Sequence, residues 1–153
     1  MSIIAHDRPE LFAEVFSPEE LSVIRSWQGY LSVVRPAEIL REYSRYMHDP
    51  TEGGLSGALY ETSQACGLGV ELYADRVPVH EFTLRAAQKL GFDPMNLISS
   101  GMLIAVIPDD RVSDAQKALQ EKGITSNIIG RFADGKGNAE LDTHEELWGI
   151  LVL

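Results

Sequence analysis

The sequence is short of the residues that build covalent, metal-bound or polyanion-binding frameworks. One cysteine, Cys66, stands among 153 residues, so no internal disulfide can form and a reducing compartment such as the cytoplasm is expected. Its spacing puts it on the apolar face of a helix, where packing is favoured over nucleophilic chemistry. The histidines, His6, His48, His80 and His144, are dispersed and lack the ligand spacing of a zinc site. Lys and Arg total 13 against 23 Asp and Glu, a formal charge of −10, which argues against nonspecific nucleic-acid binding. No apolar run approaches the ~20 residues of a membrane span. The start, Met1 to Ile4 leading into His6 and Asp7, lacks the basic and long apolar regions of a secretory signal. Any phosphate bound here must therefore be held by backbone, a few cations or a metal.

What is present suits one packed domain. Hydrophobic residues make up 44% and charged residues 24% of the chain, ordinary globular values. A chain of this size buries roughly two thirds of its unfolded surface. No repeat, low-complexity tract or linker divides residues 1–153.

Ser17-Pro18-Glu19-Glu20 combines a serine N-cap, proline at N1 and glutamate at N3, and predicts a helix to about Gln28. Ile39, Leu40, Tyr43 and Met47 predict a second helix after Pro36, and Leu55, Ala58, Leu59, Thr62, Ala65 and Cys66 a third, stopped by Gly67 and Gly69. Val70 to Tyr73 alternates like a half-buried strand. A helix over about His80 to Leu90 follows. The run Met102 to Ile107 reads as a central strand buried on both faces, ended by Pro108. Asp109-Asp110 reads as a solvated turn before a surface helix over Val112 to Lys122. Ile124 to Phe132 and Asn138 to Leu141 read as strands around the turn Asp134-Gly135-Lys136-Gly137, and His144 to Leu151 as a closing helix. Ile3-Ile4-Ala5 suggests a short strand. The pattern predicts an α+β layered domain with a mixed sheet flanked by helices.

One stretch does not fit simple rules. Asp49-Pro50-Thr51-Glu52 resembles a capping box, yet Gly53-Gly54 follows, and each glycine inside a helix costs about 1 kcal/mol relative to alanine. Either a turn that only glycine adopts begins the helix near Leu55, or a ligand approaches bare backbone there. Free amides at a helix N-terminus would form an anion site.

Asp49 to Leu55, with Tyr60-Glu61, Gly67 to Val70, Val77-Pro78-Val79, Leu90 to Pro94, Ser99 to Leu103 and Ile128 to Phe132, resembles the C-terminal domain of the AIR synthase-like superfamily. That group includes aminoimidazole ribonucleotide synthetase, selenophosphate synthetase, thiamine-monophosphate kinase and the hydrogenase maturation protein HypE. The resemblance implies a fold like that C-terminal domain and use of ATP with Mg2+ to phosphorylate an amide- or carbamoyl-type oxygen. It implies a phosphate-side loop of Asp49, Thr51, Glu52, Gly53 and Gly54, with Ser99, Ser100 and Gly101 as a second loop nearby. Phosphoryl transfer suits such loops, since it relies on positioning and charge neutralisation. The family's N-terminal ATP-binding domain is expected to be absent, so a separate N-terminal-domain polypeptide would complete the cleft and the chain alone would turn over little. HypE commonly has arginine where Glu52 stands, and ends in a cysteine where this chain ends Trp148 to Leu153, so the HypE reaction itself is not expected. The alternative is a stand-alone anion- or nucleotide-binding module without turnover. Apolar surface left by a missing domain predicts a homo-oligomer.

Among the remaining residues, His48 adjoins the loop and is expected in a supporting role. Arg131 is expected in a surface salt bridge, and Trp27 and Trp148 in packing or an interface.

Overall fold

The computed structural model describes residues 1–141 and 143–152. Its first segment is core, not a strand stump: α1 (Ser2–Asp7) and a 3-10 turn at Pro9–Phe12 precede α2 (Pro18–Ser26). The adjacent residues Ile4 and Ala5 are both fully buried, which a helical turn permits and an alternating strand exposed on one face does not. They pack with Phe12, Phe16 and Ile24 against Ala86 and Ala87 of α5 (Glu81–Leu90) and Leu147 and Ile150 of α7 (Glu146–Leu151). Two arginines tie this layer together: Arg25 Nε donates to the Ala5 carbonyl at 2.9 Å, and Arg8 Nη1 to that of Leu151 at 2.6 Å.

At α2 the local rules hold in full. The Glu20 amide donates to the Ser17 hydroxyl and the Ser17 amide to the Glu20 carboxylate, with Pro18 in the first turn. Glu20 also pairs with Arg85 on α5 at 2.6 Å.

The next helix, α3 (Val34–Leu40), is shorter than its apolar spacing predicts. The Tyr43 and Ser44 amides both fold back on the Leu40 carbonyl at 2.9 Å, and Met47 falls in a strand, β1 (Tyr46–His48). Ile39, Tyr43 and Met47 still pack around Leu40, together with Ala115 and Leu119 of α6 (Val112–Gln120), so the spacing identifies the neighbours but not the backbone.

Among the described residues the strands form two separate two-stranded antiparallel sheets, not one mixed sheet. β1 pairs with β3 (Ile104–Val106), and β2 (Gly69–Leu72) with β4 (Gly130–Ala133). The α+β class is as expected. The run 102–107 is no central strand: only Ile104–Val106 pair with another strand, on one side, and of these only Ile104 is buried. Nor do 124–129 or 138–141 form strands. Asn138 substitutes for a strand along β2, its amide donating to the Val70 carbonyl at 2.9 Å while its Oδ1 accepts from the Leu72 amide at 2.7 Å.

Helix α4 (Gly54–Cys66) contributes Leu55, Ala58 and Leu59 to a second core with Val70 and Ile104. Its last turn leaves the core, so Cys66 is exposed and does not lie on a packed face. No helix is long and apolar enough to cross a membrane among the described residues.

Because Phe12 lies at the centre of the first core, Phe12→Ala is expected to lower unfolding stability by about 3–5 kcal/mol. Urea denaturation followed by circular dichroism measures this. A loss under about 1 kcal/mol would exclude the first turns from the cooperative core.

Candidate functional site

The segment 49–54 does not cap α4 in the way its sequence suggests. The N-cap is Gly53, at φ 75°, and Gly54, at φ 58°, opens the helix. Asp49, Thr51 and Glu52 are exposed, whereas Pro50, Gly53 and Gly54 are buried. Both φ values lie in the left-handed region, where a side chain is strained. Gly54 has a second constraint: a Cβ there would lie 2.5 Å from the Met95 carbonyl oxygen and 2.6 Å from that of Leu97. The close approach at this glycine is made by the chain's own backbone.

That contact joins the two predicted loops. The Ser56 amide donates to the Met95 carbonyl at 3.0 Å and the Ser99 amide to the Pro50 carbonyl at 3.2 Å. Ser99 Oγ turns back on the Leu97 carbonyl at 2.8 Å, while Ser100 and Gly101 are exposed. The structure thus brings the 49–54 and 99–101 segments together, with Asp49, Thr51, Glu52, Ser100 and Gly101 on the outside.

The inward side holds a residue that sequence reasoning missed. The Gly53 amide donates to Glu145 Oε2 at 2.5 Å, and Glu145 Oε1 accepts from the amides of Ile98 at 3.1 Å and Leu147 at 2.9 Å. One carboxylate therefore bridges the start of α4, the 95–101 loop and the first turn of α7. Charge-assisted bonds of this kind are about twice as strong as neutral ones. An acidic residue before a helix was legible in His144-Glu145-Glu146-Leu147, but only as a cap for α7. Its partner at Gly53, 92 positions away, was not legible. The Met1 amino group feels the same carboxylate: burial pushes its pKa down to about 6 while attraction to Glu145 opposes the shift.

His48 Nε2 lies 2.7 Å from Glu61 on α4, which ties β1 to the helix beside the loop. Arg131 is engaged by Glu71 at 2.7 Å, in the expected surface pair, and that hydrogen bond holds its pKa above the ordinary value. No group of three or more His, Cys, Asp or Glu residues is placed to hold a metal among the described residues. A cavity of about 360 Å³ separates the α3–α6 layer from α4, lined by apolar residues including Leu40, Leu55, Ile104 and Leu119. Of the predicted site residues it touches only Gly101. A smaller one of about 120 Å³, beside His80 and Thr83, touches only Ser99.

Residues 30–142 match the family described as AIR synthase related protein, C-terminal domain, and the chain belongs to it. Carbamoyl dehydratase HypE of Bradyrhizobium diazoefficiens is 32% identical over 100 residues, 65% of this chain and 28% of that protein. Subunit PurL of phosphoribosylformylglycinamidine synthase from Moorella thermoacetica is 40% identical over 88 residues, 55% of this chain and 10% of its own. Among solved structures, HypE in complex with ATP superposes with a TM-score of 0.56 at 26% identity, covering 74% of this chain and 32% of that one. Thiamine monophosphate kinase from Aquifex aeolicus, at 18% identity, shares the fold, with a TM-score of 0.63 over 94% of this chain and 48% of its own. The chain spans less than a third of the length of the curated relatives cited. Helices α1 and α2, and α7 at the other end, lie outside the matched residues.

The two glycines should respond differently to substitution. Gly53→Ala meets a positive φ with nearest neighbours at 3.3 and 3.4 Å, and is expected to cost about 1–2 kcal/mol. Gly54→Ala adds a backbone clash and should cost at least about 3 kcal/mol. Thermal or urea unfolding of both variants checks the order, and equal losses would refute the packing role of Gly54.

Proposed function

We propose that this chain is the C-terminal half of an ATP-dependent site of the AIR synthase group. The outer faces of the 49–54 and 99–101 loops would meet nucleotide phosphates in a cleft completed by an N-terminal-domain polypeptide. The observation that carries this reading is the junction of the two loops, sewn together at Ser99–Pro50 and Ser56–Met95. Family membership and the ATP complex of HypE support it.

The donors suit a metal-bound triphosphate better than a bare one. Gly53 and Gly54 face inward, which leaves the Thr51 and Ser100 hydroxyls and the outer loop backbone toward a ligand. Exposed Asp49 and Glu52 repel free phosphate but are suited to share Mg2+ with it. The nucleotide would supply an activated phosphoryl group for an amide- or carbamoyl-type oxygen. This chain would orient the phosphates and share their charge-neutralising metal, with turnover requiring the second domain.

Self-association belongs to the same proposal. Tyr30, Val34, Trp148 and Val152 expose 76%, 62%, 59% and 84% of their surface, apolar area suited to a second domain or a second copy. The alternative reading is a stand-alone nucleotide-binding module without turnover.

Isothermal titration with Mg2+-ATP, alone and with a candidate N-terminal-domain polypeptide, tests the proposal. Binding that tightens at least about tenfold with the partner, with ATP consumed, is the expected result. Binding without consumption in either condition selects the module. No binding in either condition refutes both.

A further inference from the structure

We infer that Glu145 is the positioning residue of the glycine-rich loop: half-buried, its carboxylate holds the Gly53 amide, and so fixes which face of the 49–54 segment a ligand can reach. This deepens the proposed phosphate role of that loop and rests on it. The observation is the convergence of three amides from three separate segments, Gly53, Ile98 and Leu147, on the two oxygens of one side chain. A buried amide without an acceptor is costly, so a loop that lost this carboxylate would have to rotate Gly53 outward or admit water.

The neighbours restrict that rotation. Gly54 is wedged against the backbone of Met95 and Leu97, and the Gly57 amide donates to the Gly53 carbonyl at 2.8 Å. The Gly53 carbonyl is therefore fixed by α4 and its amide by Glu145, which leaves Thr51 and Glu52 on the outside. Glu145 already satisfies the donor that an incoming phosphate would otherwise seek at this helix start. A ligand phosphate contacts the outer side of the loop, and Glu145 favours its binding without touching it.

The test uses the whole chain, Mg2+-ATP as probe, and two variants. In Glu145→Gln, which keeps the shape and removes the charge, the Gly53 and Ile98 amide proton resonances move upfield in two-dimensional NMR. Nucleotide affinity falls on the order of tenfold while the fold is kept. In Glu145→Ala, millimolar acetate or formate re-enters the space and restores a substantial part of that affinity, a rescue that a purely structural loss would not show. Unmoved Gly53 and Ile98 resonances in Glu145→Gln overturn the inference. So does affinity equal to or tighter than wild type in either variant, since tighter binding would make Glu145 a competitor of phosphate. Failure of small carboxylates to rescue a folded Glu145→Ala variant also counts against it. Should the wild-type chain bind no nucleotide with or without its partner, the functional reading fails and the amide resonances alone decide the role of Glu145.

Discussion

The absence of a side chain at Gly54 is the constraint on which the site depends. With a Cβ there, the first turn of α4 could not lie on the Met95–Leu97 backbone, whose carbonyl oxygens stand 2.5 and 2.6 Å from where it would be. That contact allows Ser56 to bond to Met95 and Ser99 to Pro50, and it brings the 95–101 loop within reach of Glu145. The relation between the two loops is a packing result, and the proposed binding surface rests on it.

The same constraint changes the energetics of the glycine pair. Two glycines inside a helix would cost about 2 kcal/mol and require a ligand or strain to explain them. Gly53 is an N-cap, where glycine is inferior to the best capping residues by only a few tenths of a kcal/mol, and Gly54 stands at the first helical position. The bond to the N-cap amide that a Glu at N3 supplies locally in a capping box comes instead from Glu145, 92 positions away. A remote carboxylate in that role links α4 to α7, and through α7 to the core of α1, α2 and α5. The first and second cores are thus joined beside the proposed site by this charge-assisted hydrogen bond, together with the bond from the Glu146 amide to the Asn96 carbonyl at 3.2 Å.

Legibility in the sequence followed the range of the interaction responsible. The capping box at Ser17 and Glu20 and the surface helix read over Val112 to Lys122 are local, and the first is found as read while the second ends two residues earlier, at Gln120. The Asp49, Thr51, Gly53, Gly54 and Ser99 to Gly101 segments were identified as neighbours through family resemblance, and they are in contact. Sheet pairing was not legible, because β2 chooses β4 some sixty residues away while Asn138 takes its other side. Tyr43 and Met47 kept their helical spacing but not their helix, since a hydrophobic stripe reports which residues meet and is blind to the turn after Leu40. Cys66 sat on the predicted face, yet α4 outruns the core by a turn. Glu145 was hidden for the most general reason: its Gly53 contact crosses 92 positions and involves a backbone amide that no sequence pattern marks.

The central claim is that the glycine-rich loop turns its amide inward, to Glu145, and offers its outer face to a metal-bound nucleotide. A crystal structure with Mg2+ and a non-hydrolysable ATP analogue, in the presence of the proposed N-terminal-domain partner, tests it most directly. The account predicts phosphate oxygens beside Thr51 and Ser100, magnesium near Asp49 or Glu52, and Glu145 still bonded to the Gly53, Ile98 and Leu147 amides. Phosphate bonded to the Gly53 amide with Glu145 displaced, or nucleotide bound elsewhere on the domain, would contradict it.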